Sequence, residues 1–353
     1  MNRLSGKRIL KNYPEKERTS LLKKNLIILF VSLSISLWGF SQDIPNRITN
    51  VDSTGSSRII PEKNYLIEPK GINKSRFWLV SGVHTSAYSG TLVVLNEAWY
   101  KNYPKRGFTS FDDSKEWLQM DKIGHGWSAY NLSRGSAKAW KWAGFSERQS
   151  AIIGSSSGFA FLTIIEFLDA RSTRWGWSWS DIAANTVGTG LYLSQQLAWN
   201  EQRIQFKFSF HRKNYDDAQL NDRTDQLFGK SWYERMLKDY NGQTYWFSTN
   251  LKSFFKESNL PAWFNIAIGY GADGLYGGFE NLGRDGIGNV TFDRRNIPRV
   301  RQFYLSPDID LTKIKSNKRW VRTVLLMLNT FKIPAPALII NSKGTFRAHP
   351  FYF

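Results

Sequence analysis

Hydrophobic and polar positions divide the chain into stretches of different period. An uncharged apolar run over residues 26–38 follows Lys23 and Lys24 and ends at Gly39-Phe40-Ser41. A basic start, a short apolar middle and a small-x-small site form a secretory signal peptide, either cleaved after Ser41 or retained as an anchor. The run is shorter than the roughly 20 residues of a spanning helix. Residues 42–75 mix Ser, Asn, Pro and charge without period and read as a flexible lead. Residues 77–100 are long enough to span a membrane but rich in Ser, Thr and Gly, with one acid, Glu97, and one histidine, His84. A helix is predicted over about 121–133. Ser146 with Gln149 makes a capping-box pattern that opens the most apolar segment, 152–168. A turn holding Trp175, Trp177 and Trp179 leads to a last helix over about 181–199. Gly154, Gly158, Gly188 and Gly190 allow these helices to approach closely.

Beyond Trp199 the period becomes two. Ile204, Phe206, Phe208 and Phe210 alternate with Gln205, Lys207, Ser209 and His211, and similar alternation recurs at 245–251, 264–270 and 303–305. A short helix is expected near 321–331. The chain therefore divides into a signal peptide (1–41), a flexible lead (42–75), a helical domain (76–200) and a β-rich basic region (201–353). The fold class is α+β: a hydrophobic four-helix membrane-associated core followed by a β-rich C-terminal region.

Composition narrows the function. The 353 residues contain no cysteine, which excludes disulfides, thiol nucleophiles and Cys-ligated metals. Aromatic residues reach 15%, a level suited to a protein that meets a bilayer or glycans. The formal charge is +19, and residues 311–353 carry eight Lys/Arg and no Asp or Glu. Such a stretch attracts phosphate-bearing surfaces. No zinc finger, RRM or helix-turn-helix signature favours nucleic acid, so the expected partner is anionic lipid or lipopolysaccharide.

Candidate chemistry lies in the helical third. Asp121 and His125 are spaced i,i+4 with Lys122 beside them; Glu166 and Asp169 are i,i+3 in the most apolar helix; Asp181 and Asn185 are again i,i+4, with Gly188 on the same face. Ionisable groups on greasy helices are costly unless they meet one another or a cation. His125, Glu166 and Asp169 are candidate ligands for a divalent metal, Asp121 a candidate general base, and Arg171 either an ion-pair partner of Glu166 or an anion clamp. Lys122, Asp181 and Asn185 are candidate binding residues. Each also has a plain structural reading: Asp121 and Asp181 as first-turn or capping carboxylates, His125 as a hydrogen-bonded core histidine.

The order Asp121-Lys122-x-x-His125, Glu166-x-x-Asp169 and Asp181-x-x-x-Asn185-x-x-Gly188 resembles the YfiM-like family of predicted periplasmic lipoproteins, and is similar to the pattern of VanZ-like membrane proteins. The resemblance covers about residues 115–195. It implies a Gram-negative cell-envelope location and a helical membrane-associated core, with no established catalysis. The chain departs from the lipoprotein label in having no lipobox cysteine. Three functions follow: an envelope protein whose polar cluster is structural or ligand-binding, a metal-dependent hydrolase or transferase acting on a lipid-linked phosphate or glycan, and an outer-membrane β-barrel or barrel accessory.

Overall fold

The structure, a computed structural model, describes residues 71–352 except 97–99, 101–102, 174 and 216. The signal peptide and most of the flexible lead lie outside the described residues.

Four long helices come first. α1 (Lys74–Leu95) starts inside the stretch read as lead, because the Asn73 side chain accepts a hydrogen bond from the Arg76 amide and caps it. α2 (Met120–Trp142) runs well past Ser133. Ser133, Gly135 and Ser136 break its apolar period but not the helix; Ser136 takes part in a polar tie, with its hydroxyl 2.9 Å from His84 Nε2 on α1 and 2.8 Å from the Ser157 hydroxyl on α3. α3 (Glu147–Ala170) opens with the expected capping box, Ser146 and Gln149 each bonding the other's backbone amide at 3.2 Å. In α4 (Trp179–Trp199) the Ser178 hydroxyl accepts from the Asp181 amide.

Glycines set the spacing of these helices. A Cβ on Gly154 of α3 would stand 2.4 Å from the Ala137 nitrogen on α2, and one on Gly188 of α4 would stand 2.0 Å from the Gly126 carbonyl oxygen on α2. The contacts also give direction: α3 runs antiparallel to α2, and α4 runs alongside it in the same sense. The expectation of four hydrophobic helices is met by one. Among the described residues α3 alone is long and apolar enough to cross a membrane, because the faces that α2 and α4 turn inward are partly polar.

The C-terminal region contains β1 (Ile204–Phe210), α5 (Ala218–Phe228), α6 (Trp232–Lys238), β2 (Gln243–Asn250), α7 (Leu251–Phe254), β3 (Phe264–Asp273), β4 (Leu282–Arg284), β5 (Val290–Asp293), β6 (Val300–Ile309), α8 (Arg319–Leu328), β7 (Ala335–Asn341) and β8 (Phe346–Tyr352). Six strands form one antiparallel sheet in the order β1-β2-β3-β6-β7-β8; β4 and β5 pair separately. Residues 330–332 cover the outer edge of β1, where the Phe208 amide donates to the Thr330 carbonyl and the Lys332 amide to the Phe208 carbonyl. Among the described residues the protein is thus a mixed fold of eight helices and an antiparallel C-terminal sheet. Its largest apolar core joins the halves: Met120, Tyr130 and Tyr192 pack with Phe206, Phe208 and Tyr245.

Candidate functional site

The cluster forms where α2 and α4 begin and α3 ends. The loop before α2 runs beside the loop before α4, pinned by a bridge between Ser110 and Trp177 and by the Phe111 amide donating to the Trp177 carbonyl. Asp121 and Asp181 therefore occupy first turns at the same level, and the antiparallel α3 brings Glu166 to meet them.

Lys122 is the hub. Its ammonium lies 2.5 Å from Asp113, 2.6 Å from Asp181 and 3.0 Å from Asp121. Burial disfavours its charge, but these carboxylates outweigh that and hold its pKa above the ordinary lysine value. Asp113 also accepts from the Ser178 and Ser180 hydroxyls, both at 2.6 Å. Burial alone would raise its carboxyl, yet these donors leave it below the usual range. Asp121 receives the Tyr240 hydroxyl at 2.9 Å. Here too burial opposes ionisation and loses, to His125, Lys122 and Tyr240.

His125 forms the second half. Its Nε2 is 3.9 Å from Asp181 and its Nδ1 is 3.7 Å from Glu166, close enough for charge to matter and too far for hydrogen bonds. Burial pushes the imidazolium down, and Asp121, Asp181 and Glu166 together push it further up. Glu166 is fully buried, which lifts its carboxyl to about 8 despite His125. Asp169, raised by burial to about 6, accepts a 2.7 Å hydrogen bond from Tyr100. Burial also raises Asp181 against the pull of His125 and Lys122.

Several polar atoms here lack hydrogen-bond partners among the described residues: His125 Nδ1, Glu166 Oε1, and both side-chain atoms of the fully buried Asn185, which lies between Asp181 and Gly188 on the same face of α4. Buried polar groups are rarely left in this state without a ligand or water to complete them. The cluster is reachable, since the side chains of Asp121 and His125 remain 28% and 23% exposed.

Among the described residues, the groups whose ligand atoms fall within 4.8 Å of one another are Asp121, His125 and Asp181. This trio differs from the His125, Glu166 and Asp169 set suggested by helix spacing. Glu166 stands against His125, and Asp169 is engaged by Tyr100. Arg171 caps the end of α3; it is exposed, with its guanidinium 5.9 Å above the Phe167 ring. Asp113, Tyr100 and Tyr240 escaped the sequence reading because none shares a helical period with the others. The readable signal for Asp113 was the Asp112-Asp113-Ser114 turn just upstream of α2.

Residues 107–195 match the model of a family described as a predicted periplasmic lipoprotein (DUF2279). No curated protein and no solved structure matches the chain. The matched stretch holds Asp113, Asp121, Lys122, His125, Glu166, Asp169, Asp181 and Asn185, and stops short of the sheet. The match covers about a quarter of the chain; it supports an exported protein of the cell envelope and brings no activity with it.

Proposed function

We propose that this is an exported, membrane-associated protein of the Gram-negative envelope whose helical half binds a divalent cation at Asp121, His125 and Asp181. The YfiM-like and VanZ-like order of motifs supports the location, and the basic 311–353 stretch supports contact with anionic lipid or lipopolysaccharide. The observation that carries the cation reading is the convergence of these three side chains beside buried polar atoms that lack partners. Charge bookkeeping agrees. Lys122 offsets Asp113, a divalent ion offsets Asp121 and Asp181, His125 serves as a neutral ligand, and Glu166 keeps its proton. Two carboxylates and an imidazole suit Zn²⁺ or Mn²⁺.

A second reading, metal-assisted hydrolysis of a lipid-linked phosphate or glycan, draws on Glu166. A carboxyl that titrates near 8 holds its proton at neutral pH and can serve as a general acid, with Asp121 as general base.

Calorimetric titration of the chelator-treated full-length protein with Zn²⁺ and Mn²⁺ tests the proposal. It expects about one equivalent bound, with affinity at least tenfold weaker in Asp181→Asn and His125→Ala, on the order of 1.4 kcal/mol or more. Absence of near-stoichiometric binding, or equal affinity in correctly folded variants, would overturn it.

A further inference from the structure

The six-stranded sheet is inside out. Its enclosed face is largely polar around a small apolar cluster of Trp246, Ala267, Tyr304 and Ile339: Lys207 and Asp308 form a 2.8 Å ion pair with neither side chain exposed. Ser248 donates to Asp308 at 2.6 Å, Asn265 to Ser248 at 2.9 Å, and Asn250 to Asn265 at 2.7 Å. Tyr352 of β8 reaches across this interior, its hydroxyl 2.8 Å from Tyr304 on β6 and 3.1 Å from Thr244 on β2, so the sheet is strongly coiled around the polar side. The opposite face is apolar. On β1 and β2 it packs against the helices through Phe206, Phe208 and Tyr245. The same face then continues bare across β3, β6 and β7. The paired row Phe247, Ile268, Leu305 and Leu338 crosses it, flanked by Phe303 and Ile340. These six side chains are 43–62% exposed. Between β3 and β8 lies a shallow groove of about 620 Å³, lined among others by Phe264, Ile266, Pro307 and Pro350.

A sheet face in water alternates the other way, apolar in and polar out. Polar-in with apolar-out is the alternation of strands that face lipid. A contiguous apolar patch of this kind marks a buried contact surface. The residues beside it fit a phospholipid surface: Lys343 stands in the β7–β8 turn at one end of the strands, and Phe255, Lys256 and Trp263 precede β3 at the other, all of them exposed. Aromatic and basic side chains of this kind belong at headgroup level. The outer edge of β8 has no strand partner among the described residues. An open edge is excluded from hydrocarbon, so the sheet meets the bilayer face-on without crossing it.

We infer that the bare face of β3, β6 and β7 is a lipid-docking surface that seats in the acyl-chain layer of a phospholipid membrane. The inference rests on the proposed envelope location and is independent of the cation site. The cysteine-free chain makes the test direct. Leu305→Cys and, separately, Ile287→Cys on the exposed β4–β5 turn would be labelled with an environment-sensitive fluorophore in the full-length protein. Each would then be mixed with vesicles of phosphatidylcholine and phosphatidylglycerol carrying a quencher in the acyl chains. The expected result is at least threefold stronger quenching at position 305 than at 287, retained in about 0.5 M salt, where electrostatic attraction is screened within about 5 Å. A bound protein whose position 305 label stays in water would overturn the inference while leaving the envelope reading intact. A Leu305→Cys protein that oxidises to a dimer in solution and shows no acyl quenching would assign the face to a second copy and overturn it as well. Failure to bind either lipid would count against both the inference and the proposed lipid partner.

Discussion

Two buried lysines show how differently the halves of this molecule treat charge. Lys207, in the sheet, is sealed: its ammonium meets Asp308 and the Ile309 carbonyl, both at 2.8 Å, and Asp308 is completed by Ser248. Lys122, in the helical region, faces three carboxylates, next to polar atoms that lack partners and beside side chains that reach solvent. A saturated network holds a fold in one arrangement. An unsaturated network with an opening can accept something else. The first lysine belongs to the fold's framework, and the second stands where the proposed cation would bind.

The largest expected effect breaks the sealed pair. Asp308→Ala leaves the Lys207 ammonium buried without its ion-pair partner, with Asp310 the remaining carboxylate that acts on it, and urea unfolding is expected to show a loss of about 3–5 kcal/mol. Lys207→Met combined with Asp308→Leu is expected to cost less than the single change. A single variant as stable as the parent would show the pair to be inert.

Next comes pH. Burial raises the Glu166 carboxyl to about 8 from its ordinary 4.5. Between those values the folded chain keeps a proton that the unfolded chain has released, so stability is full below about 4.5 and falls as pH rises through 8. Glu166→Gln removes this slope, and the two proteins should diverge by an amount on the order of 5 kcal/mol between about pH 4.5 and 8.5. Parallel pH profiles of the urea midpoint would contradict the account of Glu166 as a buried neutral acid.

Gly188→Ala should follow, at about 1–3 kcal/mol, since its methyl would collide with the Gly126 carbonyl and push α4 from α2. The same variant should weaken Zn²⁺ binding, because Asp181 sits two turns away on the same face. The smallest effect is expected for Asp113→Asn. Lys122 keeps Asp121 and Asp181, and the amide oxygen still accepts from Ser178 and Ser180, but the amide NH2 replaces the oxygen to which Lys122 donates, so a loss of about 1–2 kcal/mol is expected in thermal unfolding.

Much of the helical third could be read from local chemistry. Ser146 with Gln149 and Ser178 with Asp181 announced two helix starts, and the i,i+4 spacing of Asp121 with His125 placed both on one face. The end of α2 could not be read that way, because Ser133 and Ser136 look like surface residues until α3 packs Gly158 against the first and His84 and Ser157 supply partners for the second. In the sheet, period-two alternation located β1 and β3, yet an alternating strand has two faces and nothing local says which is enclosed. The burial of Lys207 beside exposed Ile268 and Leu305 depends on Asp308, some hundred positions away in the chain. α6 was missed although Ser231 and Glu234 form a capping box with both bonds present. β7 and β8 were missed because Pro336 and Pro350 mask their alternation. Tyr100, Asp113 and Tyr240 reach the cluster only through tertiary folding.

The opposed course of α3 and its two neighbours has a consequence for proton affinity. α2 and α4 point the positive ends of their peptide dipoles at the cluster, where Asp121 and Asp181 sit in first turns, while α3 brings its negative end to Glu166 and Asp169. Chain polarity therefore favours anions on one wall and protonated acids on the other. A single reversal of direction between adjacent helices would erase that division of labour without altering one side chain.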